Sequence, residues 1–288
     1  MSAGVLLRGR VEHGVATITI DHPPTNLVDG AFLTALVGLL DACDRDDAVR
    51  VVVFTSADPD FFLMHGDVEA ILAAPARTGG RVTEPNVAAV TFDRLRTARY
   101  VTIAAIDGAA RGGGAEFCSA VDLRFGTPRV VLGQPEVPMG ILPGAGGTAR
   151  LPRLLGRGRA LDVMLTGRDV TGDEALAMGW LDALVPSDEL LERVGTYARR
   201  IAAMPPESIA AVKHVVDASL ESGLVPALVE ESAALARLMG LGTHHQPMQR
   251  FLDAGGQTRD GETQHMEAIM DATVDGDAVD GDAGGAGD

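Results

Sequence analysis

Residues 106–125 read IDGAARGGGAEFCSAVDLRF: the end of a β-branched run, VTIAAIDG (101–108), then three glycines at 112–114, then an apolar helical stretch carrying one carboxyl group, Glu116. Consecutive glycines ahead of a helix let main-chain N–H groups come close to a ligand, and the helix start adds the positive end of its dipole. Such a junction suits developing negative charge. Glycine before a helix is also ordinary turn chemistry, so this stretch alone leaves both readings open. Its spacing is not that of the dinucleotide fingerprint G-x-G-x-x-G.

Working outward, further β-branched runs, VATITI (15–20) and VRVVVFTS (49–56), predict strands, with a weaker pair at LRFG (123–126) and RVVLG (129–133). Between the first two, Phe32, Leu36, Leu39, Leu40 and Cys43 recur at steps of three and four, which places them on one face of a helix. A second helix is expected over VAAVTFDRLRTA (87–98). Strands alternating with helices predict an α/β fold with helix-covered sheets. In DPDFFLMHGDVEAILAAPARTGGRVTEP (58–85), Asp67 is placed to cap a short helix beginning near Val68, and Pro75, Gly79, Gly80 and Pro85 predict a mobile loop that could cover a pocket. After about residue 186 the pattern turns helical, at 188–203, 206–220 and 225–240, punctuated by Pro205-Pro206, Gly223 and Pro226. The chain therefore divides into a core over 1–200, a helical region over 201–255 and a Gly/Asp-rich tail over 256–288 expected to be disordered. The D-x-D-G spacing in that tail lacks the distal glutamate of a calcium loop, and a solvated tail is the expectation.

The second informative stretch is VVLGQPEVPMGILPGAGGTARLPRLLG (130–156), where Glu136 follows Gln134-Pro135 and precedes a glycine-rich turn, PGAGGT (143–148), that opens another helix. Glu116 and Glu136 lie near the ends of neighbouring elements. Two carboxyl groups gathered in an apolar site repel when both ionise, so one tends to stay protonated and the pair can supply acid and base together. An isolated glutamate, by contrast, is more often a capping or surface residue.

At this point IAAIDGAARGGGAEF (103–117), LGQPEVPMGILPGAGGTARLPRLLG (132–156) and ALDVMLTGRDVTGDEALAMGWLDALVP (160–186), in that order, resemble the crotonase, or enoyl-CoA hydratase/isomerase, superfamily. The resemblance covers roughly residues 10–250. It implies a crotonase-type spiral of ββα units with a C-terminal helical trimerisation region, hence a homotrimer or homohexamer. It also implies catalytic roles for Glu116 and Glu136, and an oxyanion hole made by the main-chain amides of Gly66, just before Asp67, and Gly113. The implied substrate is an acyl-CoA thioester. The expected reaction is hydration of a 2-enoyl-CoA, with double-bond isomerisation, thioester hydrolysis or decarboxylation as alternatives, and a non-catalytic scaffold after those. No metal or redox cofactor is implied, coenzyme A being part of the substrate. His65 departs from the family, which commonly has glycine there. With Gly144 it is taken as an acyl-pocket or auxiliary residue.

Bulk properties set the surroundings. The formal net charge is −16, and nine of those charges lie between Asp253 and Asp288, where ten acidic residues face one arginine. That balance opposes nucleic acid and anionic membranes as partners. Cys43 and Cys118 sit in separate apolar stretches, which predicts a reducing, cytoplasmic setting. No apolar run has the length of a signal peptide at the N-terminus or of a membrane span elsewhere. His244-His245 lacks the third ligand of a zinc site. Arg250 is a candidate for a coenzyme A phosphate and equally a surface residue, Asn26 is expected to support a turn, and Trp180 to pack in the core.

Overall fold

The computed structural model describes residues 6–74 and 81–274. Two compact units divide the chain, one up to Ala202 and one from Ala203.

In the first unit the chain lays strands alternately into two sheets. The large sheet has the order β1 (Leu7–Glu12), β2 (Val15–Ile20), β3 (Val51–Ser56), β5 (Val101–Ile106), β7 (Leu123–Gly126), β10 (Ala183–Leu184). The small sheet has the order β4 (Phe61–Leu63), β6 (Ala109–Arg111), β8 (Val131–Gly133), β9 (Asp169–Thr171). Each turn contributes β3 then β4, β5 then β6, or β7 then β8 before a helix follows, and this is the ββα repeat. Apart from the β1–β2 hairpin and the β8–β9 edge, neighbouring strands are parallel. Parallel strands covered on both faces become continuous apolar runs, and all six residues of β5 are buried.

The helices follow from local sequence. In α1 (Gly30–Arg45) the predicted face holds, with Phe32, Leu36, Leu40 and Cys43 buried, and the Asp29 carboxylate caps the start by accepting from Phe32 N at 2.8 Å. Asp67 caps α2 (Val68–Ala73) in the same way through Ala70 N at 3.0 Å, and Asn86 caps α3 (Val87–Thr97). The short helix α4 (Gly113–Cys118) is wholly buried. Its Phe117 meets Phe54, Phe92 and Phe32 edge-on at 5.1, 5.6 and 6.2 Å. Such aromatic contacts add to the burial energy and lock the helix in place. Trp180 is fully buried, and its indole N–H donates to Ser119 Oγ at 3.0 Å, just beyond α4. After α5 (Gly147–Leu155), α6 (Arg157–Thr166) and α7 (Gly172–Met178), helix α8 (Leu190–Ala202) closes the unit, burying Leu190, Val194 and Ala198.

The second unit is helical: α9 (Pro206–Glu221), α10 (Leu224–Leu241), α11 (His245–Asp253) and α12 (Met266–Val274), the last entered through a π-helical turn at Gly261–His265. Helical structure thus continues into the segment from residue 256 that low complexity had marked as tail. Ile269 explains this, since its burial gives α12 an apolar anchor that the Asp/Gly/Ala composition further on lacks. The extreme acidic stretch, 275–288, and the glycines of the expected mobile loop, within 75–80, lie outside the described residues. Arg250 Nε donates to Thr273 O at 2.9 Å inside this unit. Among the described residues, no helix is long and apolar enough to cross a membrane.

Candidate active site

The small sheet assembles the site. Strands β4, β6 and β8 run side by side in parallel, with Leu63 opposite Ala110 and Arg111 opposite Gly133. Their C-terminal ends therefore deliver three chain segments to one place: His65-Gly66 after β4, Gly112-Gly113 after β6, and Gln134 to Glu136 after β8. Open α/β sheets present ligands at this end of their strands.

A fourth segment ties the first two together. Asn26, left-handed at φ 55°, is buried and donates from Nδ2 to Ser56 Oγ at 2.9 Å and to the carbonyls of Phe61 and Phe62 at 3.1 and 3.2 Å. It is a scaffold for the β4 strand and extends the expected turn role. Two residues on, Val28 N donates to His65 O at 3.1 Å and Val28 bridges Gly66. A Cβ at Gly113 would meet the Val28 side chain at 3.2 Å, so Val28 stands against both glycines.

The spacing of these glycines is set by backbone contact. A Cβ at Gly114 would lie 1.8 Å from the Leu63 carbonyl oxygen, so α4 rests directly on the end of β4, a fit only glycine permits. Gly112 takes φ 53°, donates its N–H to Gly133 O at 2.9 Å, and turns the chain from β6 into the helix. As the first residue of α4, Gly113 has an N–H with no intrahelical acceptor. Among the described residues, neither the Gly66 nor the Gly113 amide donates a main-chain hydrogen bond outside the regular ladders.

Both glutamates are buried, Glu116 at 3% and Glu136 at 6% exposure. Glu116 Oε1 accepts from Gly147 N at 2.7 Å, at the start of α5. Burial pushes its pKa up, against the pull of the Gly147 and Ala145 amides and the Arg150 charge. Glu136 is pushed up to about 7, first by burial and further by the charge of Glu116, against the pull of its own amide. Buried Gln134 stands between them. With its amide nitrogen towards Glu136, it donates to Oε2 at 2.9 Å and Oε1 at 3.2 Å, whereas the reverse orientation would set oxygen against carboxylate oxygen. A Cβ at Gly147 would touch both Glu116 Oε1, at 3.0 Å, and the end of the Gln134 side chain, at 3.1 Å.

The expected residues thus fall as follows. Glu136 and His65 meet at Gly112, Val28 links Gly113 to Gly66, and the charge of Glu116 acts on Glu136. Gly144 does not reach a glutamate: it is exposed, and its carbonyl accepts from Asn86 Nδ2 at 2.7 Å, pinning the PGAGGT turn to α3. In that turn Gly147 holds the carboxylate. Gln134, Val28 and Gly147 escaped the sequence reading. Gln134 alone left a trace, as a polar residue in an apolar stretch beside Glu136. His244 and His245 stack on each other at 4.1 Å, and among the described residues no group of three His, Cys, Asp or Glu side chains is arranged to hold a metal ion.

A family model described as enoyl-CoA hydratase/isomerase matches residues 10–257. The chain belongs to this family. Membership is carried by most of the chain and agrees with the fold: an enoyl-CoA hydratase from Bacillus anthracis superposes with a TM-score of 0.79 at 26% identity, over 86% of this chain and 96% of that one. The Bacillus subtilis protein YngF, named for the enoyl-CoA hydratases/isomerases, is 32% identical over 87% of this chain and 96% of its own. The glyoxysomal fatty acid β-oxidation multifunctional protein MFP-a of Cucumis sativus is 40% identical over 65% of this chain, a match that spans only 26% of that much longer protein. The architecture described above is accordingly the crotonase fold.

Proposed function

We propose that the protein hydrates a 2-enoyl-CoA to a 3-hydroxyacyl-CoA. The observation that carries this reading is the pair of buried carboxyl groups, Glu116 bonded to Gly147 N and Glu136 to Gln134, with burial and the charge of Glu116 pushing the Glu136 pKa up to about 7. In the proposed reaction the thioester carbonyl oxygen accepts from the N–H groups of Gly66 and Gly113. Ionised Glu116 takes a proton from water as the water oxygen bonds to the β-carbon. The C=C electron pair moves towards the carbonyl oxygen as an enolate, and protonated Glu136 gives its proton to the α-carbon. Passage of a proton from Glu116 back to Glu136 resets the pair, so no net proton is gained or lost. Two aligned donors at the enolate oxygen are the larger contribution, since loss of one such donor costs on the order of 10²–10³ in rate. The positioned carboxyl groups add about 10²–10⁴.

The acyl-CoA substrate and the oligomer belong to the same proposal. A homotrimer or homohexamer is supported by the apolar side chains that α9 and α10 leave exposed, among them Val212, Val216, Leu220, Leu224, Leu228 and Leu235. A reducing, cytoplasmic setting suits the two free, buried cysteines. The chemistry itself calls for coenzyme A only as part of the substrate.

The test is to incubate purified protein with short, medium and aromatic 2-enoyl-CoAs and follow loss of the conjugated-thioester absorbance. Hydration requires turnover by the native protein and severe loss in both Glu116→Gln and Glu136→Gln. If only Glu136→Gln loses activity, with a shifted double bond as product, isomerisation replaces hydration. No turnover and no coenzyme A binding by folded protein would sink the catalytic reading.

A further inference from the structure

Between the Gly66 amide and the Glu136 carboxyl group stands His65. Its Nδ1 lies 2.9 Å from Gly66 O, and because a carbonyl only accepts, Nδ1 carries the proton and the ring is tethered at Gly66. Its Cβ packs against the other wall: a Cβ at Gly112 would meet both His65 Cβ and Glu136 Oε1 at 2.8 Å, closer than a carbon can come, so the two crowd one spot that has no room for a methyl group. In the reaction proposed above, the carbonyl oxygen sits on the Gly66 amide and Glu136 faces the α-carbon, one bond from the carbonyl carbon. With its ring tethered at Gly66 and its Cβ beside Glu136, the His65 side chain lies between the two landmarks that flank the α-carbon.

The geometry points to His65 as a specificity-determining residue that excludes acyl groups branched at the α-carbon, making the substrate class α-unbranched acyl-CoA thioesters. The inference rests on the acyl-CoA reading above and adds the shape of the acyl group. The imidazole takes room that an α-methyl group needs. Excess volume in a close-fitting pocket discriminates by about 10–200-fold per methyl-sized group.

Calorimetric titration of the full chain with two saturated, unreactive thioesters, butyryl-CoA and isobutyryl-CoA, tests this without depending on which reaction follows. The native protein is expected to bind butyryl-CoA at least about tenfold more tightly. His65→Ala should bring the two affinities to within about threefold, mostly by tightening isobutyryl-CoA, whereas His65→Phe, which keeps a ring of similar size, should retain the preference. Equal affinities in the native protein, or a preference unchanged in a folded His65→Ala variant, overturn the inference while leaving the acyl-CoA reading intact. Loss of the preference in His65→Phe would overturn the steric argument. Binding of neither thioester by the native protein would overturn the acyl-CoA reading, and this inference with it.

Discussion

The two glutamates occupy contrasting ground. Glu116 rides on a helix whose next residue, Phe117, is seated among Phe32, Phe54 and Phe92, and its carboxylate accepts from a main-chain amide. Glu136 rides on a loop after β8 and is met by a side-chain amide, that of Gln134, while the charge of its partner pushes its pKa further up. One carboxyl group is held by packing and backbone, the other by a polar side chain and by repulsion. The difference suits the roles proposed for them: a carboxyl group fixed in place to take a proton from water, and an acid that keeps its proton near neutrality.

That contrast can be attacked at several levels, beginning with chemistry. Glu116→Gln and Glu136→Gln are each expected to lower the hydration rate by about 10²–10⁴, with the double variant little worse than either single one, because the two groups act as a unit. Steady-state kinetics on one enoyl-CoA decides this, and additive losses would separate the pair into independent groups. Next in size is the seat of Glu116: Phe117→Ala should destabilise the protein by about 3–5 kcal/mol, measured by urea unfolding. Gln134→Met should cost less, about 1–3 kcal/mol, by removing a donor from a buried carboxyl group. Those donor bonds favour the ionised form of Glu136, so the same variant should move the alkaline limb of the rate profile upward. Glu116→Gln, which removes the repelling charge, should move any residual activity's limb downward.

The smallest effect concerns stability against pH. Because the folded protein holds the Glu136 proton up to about 7 while the unfolded chain releases it near 4.5, the native state binds more protons across that window. Stability contributed by this group is therefore present at low pH and is lost as pH rises from about 4.5 to about 7. Relative to the native protein, Glu136→Gln should gain stability between pH 5 and pH 8, by about 3 °C or more in melting temperature. An unchanged difference across that range would mean the carboxyl group is already ionised in the folded state.

The sequence carried the large-sheet strands and the packed helices well, because long periodic stretches such as Val15–Ile20 and Gly30–Arg45 announce themselves. The three-residue strands β4, β6, β8 and β9 are too short to have a period, and it is these that bring the site together. Glu116, Glu136, Gly66 and Gly113 were legible through a motif, and their gathering at one sheet end is a product of register. Val28 and Gly147 were not, since what they touch is 31 to 85 residues away along the chain and no local pattern encodes the contact, while Gln134 showed only as a polar residue beside Glu136. The distinction between Gly144 and Gly147 needed the turn itself.

The contact of Gly114 with the Leu63 carbonyl has a further consequence. It is main chain against main chain, so no rotamer change can relieve a side chain placed there, and Gly114→Ala would push apart the two amides on either side of it. The gauge of the proposed oxyanion site is therefore built into the backbone and closed to gradual adjustment. Variation in what the pocket accepts has to enter through positions such as His65, where a side chain can change size while the donors keep their separation.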